Sequence, residues 1–525
     1  MNQHELIALL DRHPEYRRDL FIRGFLLTDG PVRSAGFPLY DSWNCVRCGK
    51  YSLLTHPLTG LHIHTDSAGR HFLLFGHAYN PFTMEHREEP ILSWIAEAYG
   101  TGEFQDRIDE LTGVFVFVVI DNDALEFQVD PSGMQSACCG MVNGYLCLSS
   151  HPQLIGDLWG LQMDPFVREL VDYKWYGRVM GPYLPADLTP FAQLRRIVPS
   201  SAYRFDGAIS HRRFWPLKEL KPIESEEEYR HVITQAADIL KANMALIPKK
   251  WDRPWISMTG GIDSNTTFAA ANGQYDRYET FSYISAPKEV PDAEAAATIA
   301  ERFGVKHHTF HIPQDNTEVD DYEVQLALLC HNNGYVATPN ANEARKRMYL
   351  RRNANCDVEI KSWVSETIRA YWYKHYGRTN MPKLSAKLFR NLYKIFLGNR
   401  ALAHRVDRLF ETYIRDFEYH AIPNCYPPAD MHYNEVTWGS WGGLHISKMR
   451  YCFDITFAYN NRKFLELLFR VPLADRIRDQ HHLDMKQYLN RALYDMNIRV
   501  VNMKETDFRA FMLNVIFTIN QLLPF

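Results

Sequence analysis

The chain has 525 residues, 46% of them hydrophobic and 23% charged, a composition typical of a folded globular protein rather than a disordered one. A formal net charge of −4 provides no basic field, and no apolar run reaches the roughly 20 residues of a membrane-spanning helix. We therefore expect neither nucleic acid nor a membrane as a partner. The length exceeds that of one ordinary core and predicts two or three domains.

The charged start of the chain does not have the pattern of a secretory signal. Its nine cysteines form no recognisable disulfide framework. Both observations predict a protein of the reducing cytoplasm.

The first part of the chain is rich in predicted strands. Residues 72–82, 113–133 and 144–151 are β-type runs separated by Asp, Asn and Gly turns. After Trp215-Pro216 the pattern changes, and residues 224–248 read as a helix with a serine and three acids at its start. We therefore predict one domain over 1–218 and a second over 219–525.

Strands and helices alternate from Trp251 to about residue 311, which is typical of parallel strands with helices on both faces. The remainder, from about 320, has mostly helical periodicity. The predicted fold class is therefore a two-domain α+β protein: an antiparallel β-sandwich with flanking helices, then an α/β parallel-sheet domain with a helical extension.

The segment ISMTGGIDSNTTFAAA, residues 256–271, joins a strand to a helix. Its two glycines allow either a plain tight turn or a cradle for phosphate, because a helix N-terminus after a parallel strand binds anions. The spacing is neither that of a Walker loop nor G-x-G-x-x-G. Asp263 cannot bind a phosphate directly, but it can hold a Mg²⁺ ion that does.

The blocks around this turn resemble the asparagine synthetase-like family of ATP pyrophosphatases. Thr259–Ser264 resembles the family's Ser-Gly-Gly-x-Asp-Ser signature, Thr280–Tyr283 its adenine-site strand, and Asp292 the acid before an Ala-rich helix. A His-His strand at 307–308 follows in the same order. Lys486, in DMKQYLNRAL, occupies the place of the family's late lysine.

The first domain resembles the glutamine amidotransferase half of the same family, which is Ntn-hydrolase-like. The resemblance is carried by Glu110–Gly113, by Val129–Gln135 and by the serines before His151. The family's nucleophile is a cysteine at position 2, where this chain has Asn2. We therefore expect no glutamine hydrolysis, and a closer similarity to the β-lactam synthetase-like branch, which lacks that cysteine.

Two segments depart from the family pattern. The Ser-Gly-Glu-Gly-x-Asp-Glu loop is replaced by a stretch containing Lys361 and Glu366, which either take over charge neutralisation and metal binding or merely end a buried strand. A second family segment is replaced by Asp454–Arg462, in which Asp454 stands for the glutamate. Asn460–Arg462 is either a helix start or a pocket wall. The loop TWGSWGG, 437–443, either lines a pocket or, as we favour, is buried.

The resemblance implies an AMP-forming carbon–nitrogen ligase that uses ATP and Mg²⁺ to activate a carboxylate as an acyl-adenylate for attack by an amine. The substrates would be a small-molecule or peptide carboxylate and an amine donor, and a homodimer is left open. The alternatives are an inactive or regulatory binding protein, and an adenylating enzyme acting on a peptide or larger metabolite. The implied catalytic residues are Lys486, Asp454 and Glu366, the implied metal ligands are Asp263 and Glu366, and the implied nucleotide-binding residues are Thr259, Gly260, Gly261, Asp263, Ser264, Ser282, Tyr283, Asp292 and Lys361.

Overall fold

The computed structural model describes residues 3–32, 42–396, 398–498 and 507–522, so that Asn2 lies outside the described residues. Its strands are β1 (Phe25–Thr28), β2 (Asn44–Cys48), β3 (Tyr51–Thr55), β4 (Leu61–Thr65), β5 (His71–Tyr79), β6 (Thr112–Asp121), β7 (Ala124–Val129), β8 (Cys138–Val142), β9 (Tyr145–Ser149), β10 (Leu194–Arg196), β11 (Ser201–Phe205), β12 (Ile209–Arg213), β13 (Pro254–Ser257), β14 (Glu279–Ile284), β15 (His307–His311), β16 (Val358–Ile360) and β17 (Asp454–Thr456).

The α-helices are α1 (Gln3–Arg12), α2 (Glu88–Glu97), α3 (Phe104–Asp109), α4 (Pro152–Trp159), α5 (Pro165–Val171), α6 (Glu226–Lys250), α7 (Ile262–Ala270), α8 (Val290–Arg302), α9 (Tyr322–Asn332), α10 (Ala341–Asn353), α11 (Ser365–Ile368), α12 (Tyr371–His375), α13 (Ala386–Tyr393), α14 (Arg400–Asp416), α15 (Pro428–His432), α16 (Gly443–Met449), α17 (Arg462–Phe469), α18 (Leu473–Ile477), α19 (Gln480–Leu489), α20 (Arg491–Asp495) and α21 (Asp507–Leu522). A π-helix spans Tyr433–Gly442. None of the helices in the described ranges combines the length and apolar character needed to cross a membrane.

The first part of the chain forms two six-stranded antiparallel sheets, in the orders β10-β8-β9-β1-β3-β2 and β12-β11-β7-β6-β5-β4. Strand β6 is apolar on both faces because both faces are covered. Val114, Val116 and Val118 belong to the main core, whereas Phe115 and Phe117 pack in a second cluster with α2. The continuous run GVFVFVVI is therefore a strand between two layers.

The second part contains a five-stranded parallel sheet in the order β15-β14-β13-β16-β17. Helices α7 and α8 follow β13 and β14 along the chain, as the alternating pattern predicted. The long C-terminal stretch is mainly helical. The two architectures confirm the predicted fold class.

The predicted boundary at 218/219 lies in the connection between β12 and α6. The predicted capped start of α6 is confirmed, because the Ser225 side chain accepts a hydrogen bond from the Glu228 N–H at 3.1 Å.

Buried polar contacts join the two parts. Asn460 Nδ2 donates to Asp130 Oδ1 at 2.7 Å, and Arg462 Nε donates to Asp109 Oδ1 at 2.9 Å. Asn461 caps α17, because its side chain accepts from the Phe464 N–H. The segment 460–462 is therefore a helix start at the interface and not a pocket wall.

Candidate functional site

A cavity of about 980 Å³ lies at the carboxyl ends of β13 and β14. Parallel strands end at a common edge, and ligands of open α/β sheets bind beyond that edge. Ten of the residues predicted from the sequence line this cavity: Thr259, Gly260, Gly261, Asp263, Ser264, Ser282, Tyr283, Asp292, Lys361 and Glu366.

The turn between β13 and α7 is closed by its own hydrogen bonds. The Thr259 N–H donates to Ser264 Oγ at 3.2 Å, and the Gly261 N–H donates to Thr259 Oγ1 at 3.1 Å. A Cβ atom at Gly261 would lie 3.1 Å from Thr259 Oγ1, so glycine serves close approach here and not a left-handed backbone. The N-terminus of the nine-residue helix α7 faces the cavity behind this turn.

Side chains from β14 and from α8 hold the turn in place. Asp292, in the first turn of α8, accepts from the Gly260 N–H at 3.0 Å, and its burial raises the pKa of this carboxyl. Ser282 Oγ donates to the Met258 carbonyl at 2.7 Å. Both side chains thus position the turn.

Beside the turn lies a network of ion pairs that the sequence analysis did not predict. The Arg369 guanidinium pairs with Asp263 and also with Asp479, at 2.7 Å from Nε to Oδ1, and Lys374 pairs with Asp479 as well. Ser365 Oγ donates to Asp263 Oδ1 at 2.6 Å. Arg369, Lys374 and Asp479 all line the cavity, so two basic side chains share it with the Thr259–Ser264 turn.

Lys361 and Glu366 lie in the segment that stands in place of the family's Ser-Gly-Glu-Gly-x-Asp-Glu loop. We call this segment, residues 361–369, the rebuilt loop. Burial, and then the nearby charge of Asp263, raise the pKa of Glu366, whose carboxylate accepts from the Tyr433 hydroxyl. Lys361 Nζ pairs with Glu359 at 2.6 Å. Asp263 and Glu366 both line the cavity and interact electrostatically, and carboxylate oxygens are the kind of donor that Mg²⁺ prefers.

The structure places Asp454 outside the site. It begins β17 and is paired in register with Val358, which begins β16, so it lies at the sheet edge opposite the cavity. Although burial opposes ionisation, Arg450 and then Arg23 hold the pKa of Asp454 well below its usual range. This position does not fit the catalytic role predicted for Asp454, whose contacts are ion pairs with Arg450 and Arg23.

Lys486 is buried on α19 and is not part of the cavity wall. Its Nζ lies 5.8 Å from the ring centre of Tyr494, on the following helix. His482, one turn closer to the helix start, approaches Asp263 at 3.5 Å. The structure thus brings Arg369 and Lys374, and not Lys486, to the cavity.

The segment 437–443, most of which lies in the π-helix, is mostly buried, as we predicted. Trp438 is 1% exposed, and its ring stacks on Trp363 at a centroid distance of 5.6 Å. Trp363 also stacks on Trp441 at 5.3 Å. Because Trp363 lines the cavity, the rings of Trp438 and Trp441 that stack on it support this part of the cavity wall.

One residue of the rebuilt loop has a positive φ although it is not a glycine. Val364 has φ 61°, a strained conformation for a β-branched residue.

Val364 and Val358 are both fully buried, and of the two only Val364 has a positive φ. We expect Val364→Gly to destabilise the protein by about 1 kcal/mol less than Val358→Gly, measured by urea unfolding. Equal losses would show that the loop is unstrained.

The fold and cavity define an α/β domain with a glycine-containing turn and a helix start at the carboxyl end of its first parallel strand. Residues 256–327, which run from β13 into α9, match the family model described as asparagine synthase. No curated protein matches the chain.

Several solved structures are similar over part of the chain. One is the allosteric regulatory enzyme of purine biosynthesis, with 11% identity, a TM-score of 0.25, and coverage of 56% of this chain and 77% of that one. Another is the B. subtilis glutamine phosphoribosylpyrophosphate amidotransferase complexed with ADP and GMP, with 11% identity, a TM-score of 0.22, and coverage of 69% and 74%. A third is the glutamine-dependent NAD⁺ synthetase of Acinetobacter baumannii in complex with ADP, with 13% identity, a TM-score of 0.15, and coverage of 43% and 51%.

Proposed function

We propose that this chain is an ATP-dependent carbon–nitrogen ligase that activates a carboxylate as an acyl-adenylate. The observation that carries the proposal is the cavity in which the Thr259–Ser264 turn faces Arg369 and Lys374. Its volume is near the upper end of the range of about 300–1,000 Å³ for small-molecule sites, which suits a nucleotide together with a second substrate.

In the proposed reaction a substrate carboxylate oxygen attacks the α-phosphorus of ATP, and the bond to the β-phosphate breaks to release pyrophosphate. An amine then attacks the acyl carbon, loses a proton, and releases AMP. The turn and the start of α7 would hold the pyrophosphate, while Arg369 and Lys374 offset its charge. Ser282 and Tyr283 would flank the adenine.

Asp263 and Glu366 would hold Mg²⁺, which supplies further neutralisation of phosphate charge when bound. In the structure Arg369 pairs with Asp263, so the guanidinium lies beside a carboxylate that would hold the metal. The rebuilt loop thus combines an acid with a fixed cation.

We propose that the amine does not come from glutamine. The buried thiols of the N-terminal sheet are poor nucleophiles, because burial raises the pKa of Cys139 and of Cys147 to about 12. Because Asn2 stands where the family has its nucleophilic cysteine, incubation with glutamine should release no glutamate.

The decisive experiment combines the protein with ATP, Mg²⁺ and candidate carboxylates and measures AMP and pyrophosphate. Asp263→Ala should abolish both products, whereas Asp238→Ala, at an exposed position on α6, should leave them unchanged. Absence of AMP with every carboxylate, together with no ATP binding by calorimetry, would instead favour a binding protein.

The Mg²⁺ requirement should depend on pH through Glu366. Its raised pKa means that the buried carboxyl keeps its proton to higher pH than an exposed one, and Mg²⁺ binds the ionised form. The Mg²⁺ concentration for half-maximal AMP formation should therefore fall as the pH rises. Glu366→Gln should lose this dependence, and Glu289→Gln, at the cavity rim, should keep it.

A further inference from the structure

Among the described residues that line the cavity, only His375 on α12 carries an imidazole. Its ring stacks on Tyr371, another cavity residue, at a centroid distance of 5.6 Å. It also makes T-shaped contacts with the rings of Trp372 and Tyr376, at 5.6 and 4.8 Å. Three neighbouring rings thus hold a partly exposed imidazole at the cavity wall.

The second step of the proposed reaction needs a proton acceptor. When an amine attacks the acyl carbon, its lone pair forms the new bond and the nitrogen becomes positively charged. The nitrogen has to lose a proton before AMP departs, because an amine that keeps its proton is readily expelled again. A base in the cavity would therefore assist amide formation and not adenylate formation.

Carboxylates could also accept this proton, but those of the cavity already have partners. Within the described ranges, five of them line the cavity: Asp263, Glu289, Asp292, Glu366 and Asp479. Asp263 and Asp479 both pair with Arg369. Glu366 accepts a hydrogen bond from the Tyr433 hydroxyl. These three are thus engaged with side chains of the cavity wall.

The other two carboxylates hold the backbone in place. Asp292 accepts from the Gly260 N–H at 3.0 Å. Glu289 Oε2 accepts from both the N–H and the hydroxyl of Ser285, each at 2.7 Å. Either of them would have to give up a contact that shapes the cavity in order to take up a proton.

Lysines are a further alternative. Lysine amines ordinarily carry a proton near neutral pH, and an ammonium group cannot accept another. Lys361 pairs with Glu359, and Lys374 pairs with Asp479. Burial, and then the charge of Arg369, lower the pKa of Lys374, so this amine is the alternative that an experiment has to separate from His375.

We propose that His375 is the general base of amide formation. An imidazole nitrogen takes the proton from the attached amine nitrogen; the carbonyl then re-forms, the bond from the acyl carbon to the phosphate oxygen breaks, and AMP leaves. The imidazolium afterwards releases its proton to water. Imidazole suits this role because its uncharged form is available near neutral pH. This inference rests on the proposed function, because it concerns that reaction's second step.

The test measures the two steps separately, with aspartate, hexanoate and benzoate as acyl probes. Exchange of labelled pyrophosphate into ATP reports adenylate formation, and amide formation with methylamine reports both steps. His375→Asn should keep the exchange rate and slow amide formation by roughly 100-fold to 10,000-fold, the range for general acid–base catalysis. Lys374→Met should slow the exchange as well, whereas His404→Asn, at an exposed position on α14, should change neither rate.

Two readouts distinguish a base from a residue that only supports the wall. Imidazole added in solution should restore amide formation by His375→Ala. Hydroxylamine is a weakly basic amine whose adduct loses its proton readily to water, so His375→Asn should use it at nearly the rate of the unaltered protein.

Unchanged amide formation with methylamine in His375→Asn would overturn the inference. Loss of pyrophosphate exchange in both His375 variants would do the same, because the ring would then serve the first step or the fold. If the unaltered protein neither exchanges pyrophosphate nor binds ATP, the proposed function itself is wrong.

Discussion

Replacing Arg369 with methionine is expected to lower the rate of AMP formation by about 100-fold to 1,000-fold, the range seen when one fixed donor to a developing charge is lost. Arg369 is the link between Asp263 and Asp479 in the cavity wall. Although burial opposes its charge, Asp263 and then Asp479 raise the pKa of this guanidinium, so it stays positive at every working pH. Without it, two carboxylates would face the phosphates and repel them.

The measurement is the initial rate of AMP release at saturating ATP, with the affinity for pyrophosphate determined in parallel. Arg478→Met is the matched control, because Arg478 also lines the cavity but is exposed and pairs with Asp475. Circular dichroism of Arg369→Met would establish that the variant is folded. An unchanged rate with tighter Mg²⁺ binding would contradict the prediction and identify Arg369 as a competitor of the metal at Asp263.

The parts of the site that sequence analysis located are local. The Thr259–Ser264 turn depends on a strand, two glycines and a helix start within 256–271, and each of these has a recognisable local sequence pattern. Ser282 and Asp292 follow in the next strand–helix unit, so their places come from the same alternation. A continuous stretch of chain is sufficient to predict this half of the cavity.

The other half depends on distant packing. Asp479 is 110 residues from Arg369, and the two are brought together by tertiary packing. Helix α19, which begins after Asp479, packs on α7, which carries Asp263, the other partner of Arg369. Asp454 was assigned because it stands for the glutamate of a family segment, and that resemblance does not show that Asp454 begins β17, at the end of the strand away from the cavity. Lys486 was assigned by its motif, whereas the face of α19 that meets Asp263 carries His482. Arg369 and Lys374, two cations soon after Glu366, were the clue that sequence did contain.

Glu435→Gln is expected to destabilise the protein by about 3–5 kcal/mol, the loss typical of a buried ion pair deprived of one partner. Glu435 lies in the π-helix of the C-terminal part and accepts two hydrogen bonds from Arg213 of β12, at 2.7 and 2.8 Å. Both side chains are fully buried. Glutamine preserves the shape but leaves the guanidinium without a counter-charge at the contact between the two parts.

Urea unfolding followed by tryptophan fluorescence would measure this loss. The matched control is Glu126→Gln, which breaks a partly exposed Arg–Glu pair with Arg204 in the same sheet, at 2.6 Å. That change should cost no more than about 1 kcal/mol, because exposed pairs are screened. Because other buried contacts, such as Asn460–Asp130 and Arg462–Asp109, still join the two parts, the unfolding should remain a single transition. A single transition shifted by less than the control would mean that the pair contributes nothing to holding the parts together.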